Sequence, residues 1–345
     1  MAIIGVENAI FGVDDVKLCT KFWDDFGLVP VSITDTESVF EVASGSKVTV
    51  MHRDDPRLPA AYAHAQGIRE TIWGVDTQES FDKLIADLSS DRELTIDESG
   101  TAHFCADDGM PLGLRLWHKR EVVSCPDPVN APGNIQRLNQ HRKWRMRAIP
   151  KTINHVVFFS KDYVSSFDFF RDRLGFRLTD HSKGVGVFAR ADGTYEHHSI
   201  FWVNTALPVA PDEPGFMHIA FGVEDIDEIM LGANLMTEKG WENTSPNTSG
   251  GLSRHRITSA LYYYVENPGG GEAEYHADTD YLDDNWIPRA WDWKFGSLLW
   301  AHSVPAFFQS DNPNMEMILD PDGASLEEFR GDKAQLVGAA QAAKQ

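Results

Sequence analysis

The strongest constraint on how this chain can fold is a repeat. Four times along the sequence, a short run of alternating apolar residues is followed by one amphipathic helix and then by further short apolar runs. The first unit opens with Val6 to Val13, continues through a helix near 15–26 ending at Gly27, and closes with strands around 29–52. The second opens with Glu70 to Val75, has a helix near 78–88, and closes on Leu114 to His118. The third opens with Ile153 to Phe159, has a helix near 163–174 ending at Gly175, and closes on a strand from His197 to Trp202. The fourth opens with Phe216 to Val223, has a helix near 225–238, and closes on Ala260 to Tyr264 and Glu272 to His276. The third unit echoes the first, and the fourth echoes the second.

A single strand–helix–three-strand unit leaves one apolar sheet face bare, so two units must pair to cover it. Four such βαβββ modules make two half-barrels, an α+β architecture. The expected division is an N-terminal domain at 1–122, a linker at 123–150, a second domain at 151–280 and a C-terminal extension at 281–345. The linker carries Pro126, Pro128, Pro132 and Gly133 and then a charged stretch, while the extension is rich in aromatic residues such as Trp286, Trp291, Trp293, Phe295 and Trp300.

With 345 residues, 42% of them hydrophobic, the chain is long enough for two cores. A formal net charge of −21 repels a phosphate backbone, which argues against nucleic acid as a partner. The three cysteines, Cys19, Cys105 and Cys125, are widely spaced and read as reduced thiols, not as a disulfide framework or a zinc site. The opening residues look like a first strand more than a signal peptide, and no apolar run reaches membrane-spanning length. A cytoplasmic enzyme with no membrane partner is the expectation, and a homo-oligomer is left open.

Three residues of the second half have the character of a metal site. His155 lies mid-strand in INHVVFF, His218 mid-strand in FMHIAFGV, and Glu274 in the closing strand EAEYH. Either histidine alone reads as a satisfied core residue. Both, however, precede the residue that opens the next helix by the same interval, His155 before Asp162 and His218 before Asp225. Two imidazoles and one carboxylate on one face leave coordination positions open, the pattern suited to a non-haem iron(II) that must hold substrate and O2 together. The first half does not keep this set: Asn8 (or Glu7 with a one-residue slip) matches His155, Glu70 matches His218, and Leu116 matches Glu274. The first half therefore reads as a scaffold. Glu272 is the rival carboxylate to Glu274.

The segment from His255 through Tyr264 and Asn267-Pro268-Gly269-Gly270 to Glu274, together with the doublet His197-His198, resembles the type I extradiol ring-cleaving dioxygenases of the vicinal-oxygen-chelate superfamily, of the 2,3-dihydroxybiphenyl 1,2-dioxygenase and catechol 2,3-dioxygenase kind. The resemblance implies iron(II), or manganese(II), held by His155, His218 and Glu274. It implies a catechol-type diol and O2 as substrates, His198 as acid and base, and Tyr264 and His255 as hydrogen-bond donors to substrate oxygens. Strand alternation sends His197 and His198 to opposite faces, and His198 is the one expected in the cavity. Tyr263 and Thr258 depart from the family pattern and bear on which diol is cleaved. Competing readings are a 4-hydroxyphenylpyruvate-dioxygenase-like or glyoxalase-like enzyme of the same superfamily, and a non-catalytic protein that binds aromatic compounds. His181 and His276 are expected to be structural.

Overall fold

The computed structural model describes residues 3–62, 66–207, 210–241, 250–303, 315–317, 326 and 330. The start of the glycine-rich loop at Ser249 and most of the extension beyond 303 lie outside the described residues.

The four helices stand where the repeat puts them. They are α1 (Val16–Phe26), α2 (Gln78–Leu88), α3 (Tyr163–Leu174) and α4 (Ile226–Glu238). Each begins at a residue whose side-chain oxygen accepts the free backbone N–H three positions on: Asp15, Thr77, Asp162 and Asp225. Gly27 ends α1 at φ 110°, a conformation that a side chain would strain and that lets Leu28 turn back towards the sheet.

The first half contributes β1 (Ile3–Val13), β2 (Val29–Ile33), β3 (Glu37–Glu41), β4 (Lys47–His52), β5 (Gly67–Val75), β6 (Thr95–Ile96), β7 (Ala102–Cys105) and β8 (Pro111–Leu116). They form one sheet in the order β2-β3-β4-β1-β5-β8-β7-β6. The second half contributes β9 (Thr152–Ser160), β10 (Arg177–Ser182), β11 (Gly186–Arg190), β12 (Ile200–Asn204), β13 (Gly215–Gly222), β14 (Gly250–Arg254), β15 (Leu261–Glu266) and β16 (Glu272–Ala277). Their order, β10-β11-β12-β9-β13-β16-β15-β14, is the same arrangement repeated. The doublet is an exception to the expected strands: His197 and His198 lie in the irregular turn before β12, which starts at Ile200. Strand alternation therefore does not govern where they point.

The extension adds β17 (Arg289–Trp291), α5 (Trp293–Ser297), β18 (Trp300–Ser303) and β19 (Met315–Met317). Strand β17 pairs with β10 at one edge of the second sheet, and β18 pairs with β14 at the opposite edge. Eight flat strands would put those edges roughly 34 Å apart at about 4.8 Å per spacing. From Trp291 to Trp300 the chain can reach only about 21 Å, given its helical turn. The sheet must curl, and the extension runs as a strap between its edges. The strap is tied down by Ile257 N–H to the Gly296 carbonyl and Leu299 N–H to the Arg254 carbonyl.

The two halves share a continuous apolar core. Phe26 stacks on Tyr275 with centroids 4.0 Å apart, and the Tyr275 hydroxyl donates to the Phe26 carbonyl at 2.8 Å. Among the described residues, no helix is long and apolar enough to cross a membrane.

Candidate metal centre and active site

Three neighbouring strands bring the candidate ligands together. Ala220 of β13 is paired with His155 of β9 on one side and with Glu274 of β16 on the other. His218 lies two residues from Ala220 along β13 and so projects from the same face. The small side chain of Ala220 leaves the space between the three ligands open. All three are buried. His155 Nε2 is 3.3 Å from His218 Nε2 and 3.4 Å from Glu274 Oε2, and His218 Nε2 is 3.2 Å from the same carboxylate oxygen. Glu272 is not part of the cluster.

These distances suit a metal ion. Three donor atoms about 2.1 Å from a common centre and mutually at right angles lie about 3.0 Å apart. Glu274 Oε2 is also buried without a properly directed hydrogen bond, an orphaned acceptor that a cation satisfies. Burial pushes His155 down to about 3, with Glu274 opposing, so the ring is neutral and has a lone pair to give. Burial would raise Glu274, but the adjoining His155, His218 and His276 rings outweigh it and hold the carboxyl well below its usual range. The donor set is therefore two imidazoles, that of His155 neutral, and a carboxylate held ionised.

Around this cluster, His198 lies with its ring centroid 4.0 Å from that of His155. Burial, and then the neighbouring His155, hold His198 well below the usual imidazole value, so it is neutral and able to accept a proton. His197 faces away from the cluster, towards Asp180 at 3.1 Å. The Tyr264 ring lies 5.1 Å from His218, and burial followed by the Glu274 charge raises its hydroxyl well above the ordinary value. It remains a phenol and a donor. Phe188 and Phe201, stacked at 3.8 Å, and the buried Ile257 and Trp291 form an apolar wall beside His198.

His255 differs from expectation. It stacks on Tyr262 at 3.9 Å, and its Nδ1 donates to the Ser297 carbonyl of the strap at 2.7 Å. Burial pushes it down to about 4, although Glu274 and that carbonyl favour the charged form. The neutral ring then has only an acceptor at Nε2, 3.5 Å from the Tyr264 hydroxyl. It can receive the Tyr264 proton but cannot act as the donor the sequence suggested. His276 is likewise more than structural, because its Nδ1 meets Glu274 Oε1 at 2.9 Å. Sequence reading missed this contact, and it also missed Asp180. The spacing of 274 and 276, two residues apart on one strand face, was the available signal for the first. His181 packs as expected, with Nε2 3.3 Å from the Tyr163 hydroxyl.

Comparison with known proteins points the same way. Residues 152–275 match the family described as the Glyoxalase/Bleomycin resistance protein/Dioxygenase superfamily. Over these residues the chain is similar to members of this superfamily. Metapyrocatechase 2 of Cupriavidus necator is 28% identical over 319 residues, covering 89% of this chain and 92% of the relative. An iron-dependent extradiol dioxygenase of Rhodococcus jostii is 29% identical over 170 residues, 46% of this chain and 52% of the relative. The solved structure of BphC, a halotolerant catechol dioxygenase, shares the fold with a TM-score of 0.65 at 15% identity, covering 92% of this chain and 99% of that one. The resemblance to extradiol dioxygenases read from the sequence is the one these relatives bear.

The duplicated first half is an internal comparison. Asn8 is paired with Ile72 as His155 is with Ala220, and Glu70 with Ile10 as His218 is with Val157, so Asn8 and Glu70 occupy the matching positions. The residue matching Glu274 is Gly113, not Leu116, because β8 pairs with β5 so that Gly113 lies beside Ile72. The vacated space is filled by short polar contacts: Asn8 with Thr49 at 3.0 Å and Glu70 with His103 at 2.7 Å. Glycine can bind metal no better than leucine, so the correction leaves the first half without a triad.

Proposed function

We propose that this protein is an extradiol dioxygenase that opens a catechol-type ring beside its two hydroxyls, using iron(II) and O2 and placing both oxygen atoms in the product. His155, His218 and Glu274 are the proposed metal ligands, residues 151–280 the catalytic unit, and residues 1–122 its scaffold across the linker at 123–150. Bound iron(II) supplies the positions at which the diol oxygens and O2 meet and the electrons that pass between them. The observation that carries the reading is the neutral His198 ring against His155, opposite Tyr264, around a cluster whose three donor atoms are 3.2–3.4 Å apart.

The roles follow from the protonation states. His198, neutral and shielded by Phe188 and Phe201, takes a proton from the diol on binding and returns one as the ring opens. Tyr264 remains protonated and donates a hydrogen bond to a substrate oxygen, while His255 Nε2 holds that hydroxyl in place between turnovers. The apolar wall of Phe188, Phe201, Ile257 and Trp291 suits the body of an aromatic ring and excludes water from the reacting oxygens. A 2-oxo-acid-dependent or glyoxalase-like reaction gives no reason for His198 and Tyr264 to flank the cluster together.

The test is O2 uptake by anaerobically iron(II)-loaded protein against a panel of mono- and bicyclic catechols, with His218→Ala and His198→Ala in parallel. The expected result is iron-dependent uptake with a yellow ring-opened product. His218→Ala should abolish it, and His198→Ala should slow it about 100-fold. Tight iron binding with no uptake across the panel would overturn the proposal.

A further inference from the structure

A buried carboxylate outside the metal cluster has no part in the chemistry above. Asp180 of β10 is fully buried, 0% exposed, in the second half alone: the matching strand of the first half, β2, is exposed along its whole length. Three polar partners among the described residues surround it. The Arg289 backbone N–H donates to Oδ1 at 2.8 Å, Trp291 Nε1–H donates to Oδ2 at 3.1 Å, and His197 Nε2 lies 3.1 Å from Oδ2. Two of these partners can only donate, and between them they address both oxygens. A proton on either oxygen would face an N–H, so the arrangement suits the ionised, acceptor-only carboxylate.

The consequence passes along the doublet. If Asp180 accepts the His197 Nε2–H at Oδ2, and that ring carries a single hydrogen, its Nδ1 is a bare acceptor. That Nδ1 lies 3.2 Å from His198 Nδ1. A short contact between two ring nitrogens needs one hydrogen, and only His198 can provide it. His198 is then the Nδ1–H tautomer, with its Nε2 lone pair free. Phe188 lies edge-on to both rings, at 5.4 and 5.0 Å, and keeps water from offering either of them another partner.

We propose that Asp180 and His197 are positioning residues that fix the His198 proton on Nδ1 and keep its Nε2 as the open acceptor, and that the strap strand β17 completes the device by supplying the Arg289 and Trp291 N–H groups. The inference rests on the reading of His198 as the acid–base group. It gives the extension a catalytic purpose: without the strap, Asp180 loses two of these three partners and its side chain is free to leave His197. Asparagine cannot replace it. Whichever way the amide introduced by Asp180→Asn is turned, its NH2 faces either the Arg289 N–H or the Trp291 N–H. In the second case it also donates to His197 Nε2, which reverses both tautomers and puts a hydrogen on His198 Nε2.

The experiment has two arms. In the full chain loaded with diamagnetic zinc(II), long-range 1H–15N spectra of labelled histidines, assigned with His197→Gln and His198→Gln, report each tautomer directly. The expected pattern is Nε2–H for His197 and Nδ1–H for His198, with the His198 pattern reversed or mixed in Asp180→Asn. A wild-type His198 protonated on Nε2 overturns the proposal whether or not the protein cleaves a catechol, so its failure is distinct from failure of the proposed function. In the second arm, turnover of the diol found by the O2-uptake panel should show kcat down about 100-fold in Asp180→Asn, with KM and metal affinity near wild type, and a smaller fall in kcat in Trp291→Phe, with metal affinity near wild type. Trp291→Phe removes one donor and keeps the carboxylate, so it stands in if Asp180→Asn does not fold. Equal loss of kcat and metal affinity, or unchanged kcat in a variant with the altered tautomer, counts against the proposal.

Discussion

His276 makes a quantitative prediction about how firmly the metal is held. Glu274 offers Oε2 to the cluster, and its other oxygen, Oε1, is held by His276 Nδ1 at 2.9 Å, both groups being buried. Replacing His276 with leucine leaves Oε1 with no donor, and the carboxylate can rotate out of the orientation that aims Oε2 at His155 and His218. A hydrogen bond to a charged group is worth about 1.5–3 kcal/mol. At about 1.4 kcal/mol per decade, that is a 10- to 100-fold weakening of metal binding, in line with the effect expected of a residue that orients a ligand. The assay is chelator competition with Fe(II) or Mn(II) at fixed pH under argon, comparing wild type with His276→Leu and His276→Asn. Asparagine can place an N–H near the position of Nδ1, so it should recover most of the affinity. An unchanged Kd in a folded His276→Leu protein would refute the orientation argument, as would equal losses in both variants.

Three further outcomes follow from other contacts. Tyr264→Phe removes the donor between His255 and the cluster, so kcat should fall by about 10-fold or more with metal content unchanged; a loss confined to KM would reject the role given to this hydroxyl. Glu224 is held down at about 2 because the Cys125 N–H, Lys151 and Lys143 outweigh the effect of burial, which would raise it from 4.5. A depressed folded pKa stabilises above the unfolded value and the benefit is lost as pH falls towards 2, so Glu224→Gln should cost about 1–3 kcal/mol at pH 7, with the gap to wild type closing between pH 4.5 and 2 in urea titrations. Gly271 stands at φ 65° with a new Cβ only 2.4 Å from the Met217 carbonyl, so Gly271→Ala should destabilise by about 2–4 kcal/mol in the same titrations; no change would mean that the turn before Glu274 relaxes freely.

The parts of this protein that were legible in the sequence are those written locally. Helix bounds could be read because Asp15, Thr77, Asp162 and Asp225 precede apolar runs of helical period, and Gly27 and Gly175 follow two of them. His155 and His218 could be paired because each stands a fixed distance before a helix cap. The match of Glu274 with Leu116 failed because it was counted from the end of an apolar run, whereas pairing is set by which residue lies beside β5. The doublet was read as strand because Ile200 to Trp202 continue its apolar run, although regular pairing begins only at Ile200. Asp180 was not legible, since the partners that give it meaning come 109 and 111 residues later, across a sheet edge that the extension alone covers. His255 changed role for the same reason: its tautomer is set by the Ser297 carbonyl, 42 residues away in the strap.

The central claim is that both atoms of O2 enter a ring cleaved beside its diol, and isotope labelling tests it most directly. The iron(II)-loaded protein, turning over its best catechol under 18O2, should give a ring-opened product carrying two labelled oxygens, with one O2 consumed per product. A product with one label or none, or O2 consumed without ring opening, would contradict the account and favour another chemistry at the His155, His218 and Glu274 cluster.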